Sequence, residues 1–242
     1  MNYMGGKHRQ GPAIAAIIKP HLGPGTNYFE PFCGAMGVAY RVAETAYPEM
    51  MLNLSDVNVP LVNMWKAALS GWVPPDVVSE ATYQKVKAIK DPDDPMTAYC
   101  GYGASFGGKW FGGYARNGVG TNYALNASRS VLLKASVLLK ASDYAGVKGN
   151  GVWYLDPPYA ERTKAHGVVF DSTAFWGWAR GLVSRNNKVF VTEFNAPEDF
   201  VRVHNFGNTV VQHYASTGKD DTCESVFVHE SQLKELRLEM AS

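Results

Sequence analysis

Apolar residues recur at helical and strand spacings along the first 70 residues of the chain. Isoleucines at helical spacing between two prolines predict a helix over residues 12–19. Apolar runs at residues 27–32 and 50–54 predict two strands. A helix is predicted after each of them, over residues 38–46 and 59–69. This order is typical of the start of a doubly wound α/β sheet.

A similar pattern returns in the second half of the chain. The hexapeptide Val-Leu-Leu-Lys-Ala-Ser occurs twice in tandem, at residues 131–136 and 137–142. It predicts a helix that passes into a strand ending at Asp143-Tyr144. The elements predicted after it are a strand, a helix, a strand, a helix and two strands, at residues 152–155, 173–184, 188–192, from 197, 208–214 and 224–228. The sheet should therefore carry helices on both faces.

The middle of the chain departs from this pattern. Two prolines at residues 74–75 and an acidic, proline-bearing run at 91–95 flank a polar helix. Residues 101–123 then combine eight glycines with six aromatic residues. We do not expect such a segment to form a compact core of its own. It predicts an extended loop or hairpin, the kind of segment in which recognition residues commonly lie.

Composition narrows the class of protein only slightly. The 242 residues are 46% hydrophobic and 19% charged, with a net charge of +1, as in ordinary soluble globular proteins. Between residues 97 and 150, however, six Lys or Arg residues face a single acid, Asp143. This excess predicts either a phosphate-facing surface or a solvated face balanced by acids elsewhere.

The cysteines, histidines and apolar runs predict the compartment and argue against a metal site. Three widely spaced cysteines are typical of free thiols in a reducing compartment. No stretch approaches transmembrane length, and the start lacks the apolar core of a signal peptide, so we expect a cytoplasmic protein. The scattered histidines lack ligand spacing, so no metal is expected.

Two candidate binding features follow the first two predicted strands. The turn Phe29-Glu30-Pro31-Phe32-Cys33-Gly34-Ala35-Met36-Gly37 opens a helix, and its glycines allow a ligand to approach the main chain closely. It is not the Gly-x-Gly-x-x-Gly fingerprint, which disfavours NAD. Asp56 ends the second strand, where an acid can accept the hydroxyls of a ribose. A structural glycine and a helix cap are the alternative interpretations.

The strongest chemical signal is Asp156-Pro157-Pro158-Tyr159, which follows the apolar run at residues 151–155. The prolines fix φ and remove two N–H donors, so the carbonyls of this loop are presented without competing donors. A carboxylate before them and an aromatic ring after them suit the exocyclic amine of a nucleobase. An ordinary tight turn is the alternative.

In this order along the chain, these motifs resemble those of the amino-group DNA methyltransferases, and within them the Dam-type adenine-N6 enzymes of the α group. The resembling segments are Tyr3-Met4-Gly5-Gly6-Lys7, Glu30 to Ala35, Asp56-Val57-Asn58, Ser105-Phe106-Gly107-Gly108 and Asp156 to Tyr159. The resemblance implies a Rossmann-like S-adenosylmethionine-dependent methyltransferase sheet. Residues 1–61 and 128–242 would form the catalytic core, and residues 62–127 a small inserted target-recognition region.

The resemblance also implies a cofactor, S-adenosylmethionine, and residues that bind it. Gly34 and Ala35 would pass under its methionine part, with Tyr3 and Lys7 closing over it. Asp56 would hold the ribose. Phe32 would form an apolar wall, and Asp143 and Tyr144 would contact the adenine of the cofactor.

On the substrate side, the resemblance implies DNA adenine-N6 methylation of a flipped base. Asp156 and the Pro157 carbonyl would accept hydrogen bonds from N6, and Tyr159 would stack on the base. The residues implied to contact DNA are Lys109, Arg116, Asn117 and Lys219. Gly107 stands where the family has asparagine, a departure that bears on sequence specificity.

The partner expected from this resemblance is double-stranded DNA, with no membrane and a monomeric or weakly dimeric protein. Two alternatives remain at this point. One is another amine as substrate, namely cytosine N4, an RNA base or a protein amide. The other is a catalytically silent DNA-binding relative. Whether the enzyme acts alone or in restriction-modification also stays open.

Overall fold

The computed structural model describes residues 1, 3–45, 47–115, 121–158, 170–207 and 223–235. The chain comprises two compact units, Met1–Gly149 and Asn150–Ser242. The helices and strands described in the first unit are α1 (Gly11–Ile18), β1 (Asn27–Glu30), α2 (Ala39–Ala43), β2 (Met51–Asp56), α3 (Val59–Leu69), α4 (Glu80–Ile89), α5 (Pro95–Ala98), α6 (Thr121–Leu132) and β3 (Ser136–Ala141). Those described in the second unit are β4 (Val152–Leu155), α7 (Ser172–Ser184), β5 (Lys188–Glu193), β6 (Phe200–Asn205) and β7 (Ser225–His229).

The seven strands form one sheet in the order β3-β2-β1-β4-β5-β7-β6. Strand β2 pairs in parallel with both β1 and β3, and β4 pairs in parallel with β5. Strand β7 is antiparallel to both of its neighbours, β5 and β6. This is the Rossmann-like methyltransferase sheet that the sequence predicts, so the predicted fold class is confirmed.

In the first unit, the register of the parallel strands fixes where their carboxyl ends lie. Asn27 of β1 is level with Met51 of β2, and Met51 is level with Ser136 of β3. The three strands therefore end at one edge of the sheet, where parallel α/β folds place their ligands. The turn after β1 and the acid at the end of β2 both lie at this edge.

In the second unit, β4 is buried along its whole length. The side chain of Asn187 fixes its start, because Asn187 Oδ1 accepts hydrogen bonds from Gly151 N at 2.8 Å and from Trp153 Nε1 at 3.1 Å. Its Nδ2 donates to the carbonyl oxygen of Leu182 at 2.9 Å. A buried amide with both ends paired holds β4 in one position relative to α7 and β5.

The glycine-aromatic segment is more tightly packed than the sequence predicts. It contains a single π-helical turn at Tyr99–Gly103 and a β-bridge between Ser105 and Tyr114, which confirms the hairpin character. The expectation that it lacks a compact core is wrong, because Tyr83 of α4 lies at its centre. The Tyr83 ring centroid is 5.6 Å from that of Phe111 and 5.5 Å from that of Tyr114. The Tyr83 hydroxyl and Ser105 Oγ are 3.0 Å apart and buried.

Three further boundaries differ from the predictions. The helix predicted from residue 197 is wrong, because β6 occupies Phe200–Asn205 and pairs with β7. Helix α2 ends earlier than predicted, at Ala43. Helix α6 begins at Thr121, inside the predicted loop. The strand predicted at 208–214 lies outside the described residues.

Within the described ranges, no helix combines the length and the apolar character that crossing a membrane requires.

Candidate active site

The turn after β1 is fixed to the end of β2 by hydrogen bonds. Cys33 N donates to the carbonyl oxygen of Ser55 at 2.9 Å, and Gly34 N donates to Asp56 Oδ2 at 2.9 Å. Gly34 has a φ of +46°, in the left-handed region that favours glycine. The turn that the sequence predicts as a ligand-binding feature is therefore held by the acid predicted to bind ribose.

Asp56 is half-buried and accepts main-chain hydrogen bonds on both oxygens. Asn58 N donates to Asp56 Oδ1 at 2.9 Å, opposite the bond from Gly34. Burial raises the pKa of Asp56, and the main-chain amides of Asn58, Gly34 and Val57 oppose that increase. A carboxylate offers about four acceptor positions, so this one keeps capacity for ribose hydroxyls.

Residues 3–10, which we call the strap, cover the turn. A methyl group at Gly34 would lie 3.1 Å from Tyr3 Cε1, so the Tyr3 ring lies against the main chain of the turn. A methyl group at Gly37 would lie 2.8 Å from the carbonyl carbon of Lys7. Lys7 is buried, and its Nζ donates to the carbonyl oxygen of Gly5 at 3.2 Å. The structure thus brings Tyr3 and Lys7 to the turn formed by Gly34 and Ala35.

Histidine and cysteine side chains near the turn are held neutral. His8 forms a hydrogen bond with the main chain of Ala35, itself buried. Burial, and then nearby positive charge that includes Arg41, lowers the pKa of His8 to about 4. Burial, followed by the charges of Asp56 and Glu30, raises the pKa of Cys33 well above its ordinary value. A protonated, buried thiol packs as a small apolar group and is no nucleophile.

The residues predicted to contact the cofactor's adenine gather after β3 and β1. The half-buried rings of Phe32 and Tyr144 have centroids 5.3 Å apart. Asp143 is exposed, and its Oδ1 accepts a hydrogen bond from Ala145 N at 2.9 Å, which caps a short 3-10 turn. Ser142 N donates to the carbonyl oxygen of Asp56 at 3.0 Å, so this segment is attached to the ribose acid.

In the second unit, β4 leads directly into the predicted catalytic loop. Asp156 is half-buried with Oδ1 inside the protein, Pro157 is buried and Pro158 is exposed. Beneath them, Thr192 Oγ1 donates to the Tyr154 hydroxyl at 2.8 Å in the core. The acid and the first proline therefore follow a rigid strand.

The residues predicted to contact DNA are described only in part. Lys109 is exposed, beside the 3-10 turn Phe106–Gly108. Phe106 in this turn is 73% exposed, and Gly108 accepts a hydrogen bond from Met4 N of the strap at 3.2 Å. The predictions for Arg116, Asn117, Tyr159 and Lys219 fall outside the described residues.

Two residues of the site were not assigned a role from the sequence. Asn58 Oδ1 accepts a hydrogen bond from Leu61 N at 3.1 Å and caps α3, while Asn58 Nδ2 donates to the hydroxyl of Tyr102. The signal for Asn58 is an asparagine placed before Val-Pro at a helix start. Nothing in the sequence distinguishes Tyr102 from the other aromatic residues of its segment.

The turn, the acid after β2 and the Asp-Pro-Pro loop after β4, in a sheet of this order, define the class of nucleoside-cofactor methyltransferases. A family model described as D12 class N6 adenine-specific DNA methyltransferase matches residues 3–94. This match confirms the resemblance predicted from the sequence. It supports methyltransferase activity and indicates S-adenosylmethionine as the cofactor. In the part of the chain that the structure describes, no cluster of His, Cys, Asp and Glu is placed to hold a metal ion.

Solved structures similar to this chain include three with methyltransferase ligands or names. The rRNA methyltransferase AviRa from Streptomyces viridochromogenes is 16% identical, with a TM-score of 0.43, and 93% of this chain and 86% of that chain are covered. TrmN from Thermus thermophilus is 13% identical, with a TM-score of 0.41 and coverages of 90% and 48%. The SMU.472 protein complexed with SAH is 12% identical, with a TM-score of 0.40 and coverages of 92% and 52%.

This chain spans about half the length of TrmN and of SMU.472. At these identities the likeness is limited to the fold and says nothing of the substrate. No curated protein sequence matches the chain.

Proposed function

We propose that this chain is an S-adenosylmethionine-dependent DNA methyltransferase that methylates adenine at N6. The observation that carries the proposal is the Asp156-Pro157 pair at the end of the buried strand β4, which provides two acceptors for one exocyclic amine. The matched family, which is adenine-specific and acts on DNA, supports this choice of base.

The residues that would hold the cofactor fit its chemistry. Asp56 would accept the ribose hydroxyls with the acceptor capacity that Gly34 N and Asn58 N leave. Tyr3 would lie over the methionine part, since its ring already lies against Gly34. When bound, the sulfonium of S-adenosylmethionine supplies an activated methyl group, so the residues have only to orient the amine and stabilise charge.

Asp156 and the Pro157 carbonyl would prepare the amine for attack. The N6 lone pair of adenine is delocalised into the ring, which makes it a poor nucleophile. Two fixed acceptors on the N–H groups favour a more tetrahedral nitrogen and stabilise the positive charge that develops there. Asp156 is also the group placed to receive the proton that N6 loses. Tyr159 would stack on the flipped base and offset part of the cost of unstacking it.

The DNA surface would be formed by residues 62–127, with residues 1–61 and 128–242 as the catalytic core. Exposed Lys109 is suited to a phosphate or a guanine edge, and the exposed ring of Phe106 beside it is suited to an unstacked base. Arg116, Asn117 and Lys219 remain proposed DNA contacts.

The test replaces the proposed catalytic acid and a matched surface acid. Asp156→Ala should bind S-adenosylhomocysteine like the unmodified protein, by calorimetry, yet form no N6-methyladenine in DNA. Asp91→Ala, in the exposed run before α5, should retain both properties. An Asp156→Ala protein that still methylates DNA would remove this loop from the mechanism.

A further inference from the structure

Five residues from four segments of the first unit form a closed ring of contacts around the ribose acid. They are Gly34, Asp56, Asn58, Tyr102 and Tyr3. Two of the segments belong to the candidate cofactor site, one is the strap, and one is the glycine-aromatic segment.

Hydrogen bonds form the first half of the ring. Gly34 N donates to Asp56 Oδ2 and Asn58 N donates to Asp56 Oδ1, each at 2.9 Å. The side chain of Asn58 then reaches away from the acid, and its Nδ2 donates to the Tyr102 hydroxyl. Because Asn58 Oδ1 is taken by Leu61 N, the orientation of this amide is fixed at both ends.

Ring contacts form the second half. The Tyr102 and Tyr3 centroids are 4.8 Å apart in an edge-to-face arrangement, and Tyr3 lies against Gly34. Tyr102 is buried, and it also packs on Trp110 with centroids 4.8 Å apart. Burial raises the pKa of Tyr102 to about 12, so its hydroxyl is protonated at neutral pH.

The ring reaches the proposed DNA surface at two points. Tyr102 lies in the π-helical turn that precedes the Phe106–Gly108 turn, and Met4 N of the strap donates to the carbonyl oxygen of Gly108 at 3.2 Å. A change in the order of Tyr3 or Asn58 is therefore transmitted to the turn that carries Phe106 and Lys109.

Resting on the proposed function, we infer that Tyr102 is a positioning residue that couples the cofactor site to the turn at Phe106–Gly108, so that cofactor and DNA each favour binding of the other. A ligand that bonds to Asp56 and lies beneath Tyr3 immobilises two members of the ring. Part of the entropy cost of ordering the DNA-binding turn is then already met when DNA arrives. By linkage, DNA must raise cofactor affinity by the same factor.

The test measures backbone hydrogen exchange over residues 99–108, with and without saturating S-adenosylhomocysteine. In the unmodified protein the ligand should slow exchange of this segment by at least about fivefold, the lower end of typical coupling between sites. In Tyr102→Phe, saturated according to its own Kd, the slowing should fall to about twofold or less on the same scale.

Tyr114→Phe is the matched control. Its hydroxyl donates to the carbonyl oxygen of Val78 at 2.7 Å, so this variant loses one hydrogen bond of the same segment outside the ring. It should keep the full slowing of exchange. Fluorescence titration of duplex DNA should show the same ranking, with ligand-induced tightening lost in Tyr102→Phe and kept in Tyr114→Phe.

The outcomes separate this inference from the proposed function. Equal slowing in Tyr102→Phe and the unmodified protein would overturn the role of Tyr102. Ligand binding without any slowing over residues 99–108 would overturn the coupling and leave methyltransferase function intact. Failure of the unmodified protein to bind S-adenosylhomocysteine would overturn the proposed function, and the coupling with it.

Discussion

Gly37→Ala should displace the strap from the candidate cofactor site. A methyl group at this position would lie 2.8 Å from the carbonyl carbon of Lys7, 2.9 Å from His8 N and 3.0 Å from Lys7 N. All three atoms belong to the main chain, so no side-chain rotation can relieve the overlap. The strap itself has to move by about 0.6 Å to restore ordinary contact distances.

The size of the effect follows from this overlap. Inserting a methyl-sized group into a packed region costs about 1–3 kcal/mol. For a chain of this length that corresponds to a Tm lower by about 2–12 °C. Because Tyr3 moves with the strap, affinity for S-adenosylhomocysteine should fall as well.

The assay compares thermal unfolding and calorimetry of Gly37→Ala with those of Gly177→Ala. Gly177 lies on the exposed side of α7 with no atom within 4 Å of an added methyl group. Alanine in that helical position should stabilise the protein by up to about 1 kcal/mol. If both variants unfold at or above the unmodified Tm and bind the ligand equally well, the packing of the strap on Gly37 is refuted.

Three further substitutions test the charges of the site and of the DNA surface. Asp56→Asn should weaken binding of S-adenosylhomocysteine by about tenfold or more in calorimetry, since its NH₂ must face a main-chain N–H and leaves a donor unpaired; unchanged affinity would contradict the role of Asp56. His8, with a folded pKa of about 4 against about 6.5 when unfolded, contributes stability above pH 6.5 that is lost as pH falls toward 4. Chemical denaturation of His8→Gln should therefore show a shallower loss over that range, and an identical pH profile would refute the burial of a neutral imidazole. Lys109→Ala should lower the slope of log affinity for DNA against log salt by about one, with cofactor affinity unchanged; an unaltered slope would argue against a phosphate contact.

Local signals in the sequence predict the elements that carry the site. The apolar runs that become β1, β2 and β4 end in glycine, acid or proline, and each of these boundaries marks a residue of the site. Asp56 and Asp156 could be placed at strand ends because a strand and its terminating loop are both short-range features.

Features that depend on long-range packing could not be predicted in this way. The core around Tyr83 arises because α4 supplies the ring on which Phe111 and Tyr114 pack, and no spacing along the chain indicates that pairing. Strand β6 was mistaken for a helix because Pro197 is a typical start signal, although Phe200–Asn205 pairs with β7. The hydrogen bond from Asn58 to Tyr102 likewise joins residues from separate segments.

The most direct test of the account is mass spectrometry of nucleosides from duplex DNA incubated with this chain and S-adenosylmethionine. The account predicts N6-methyladenine with the unmodified protein and none with Asp156→Ala. N4-methylcytosine in the DNA, methylation confined to RNA or protein, or no methyl transfer by a protein that binds the cofactor would contradict it.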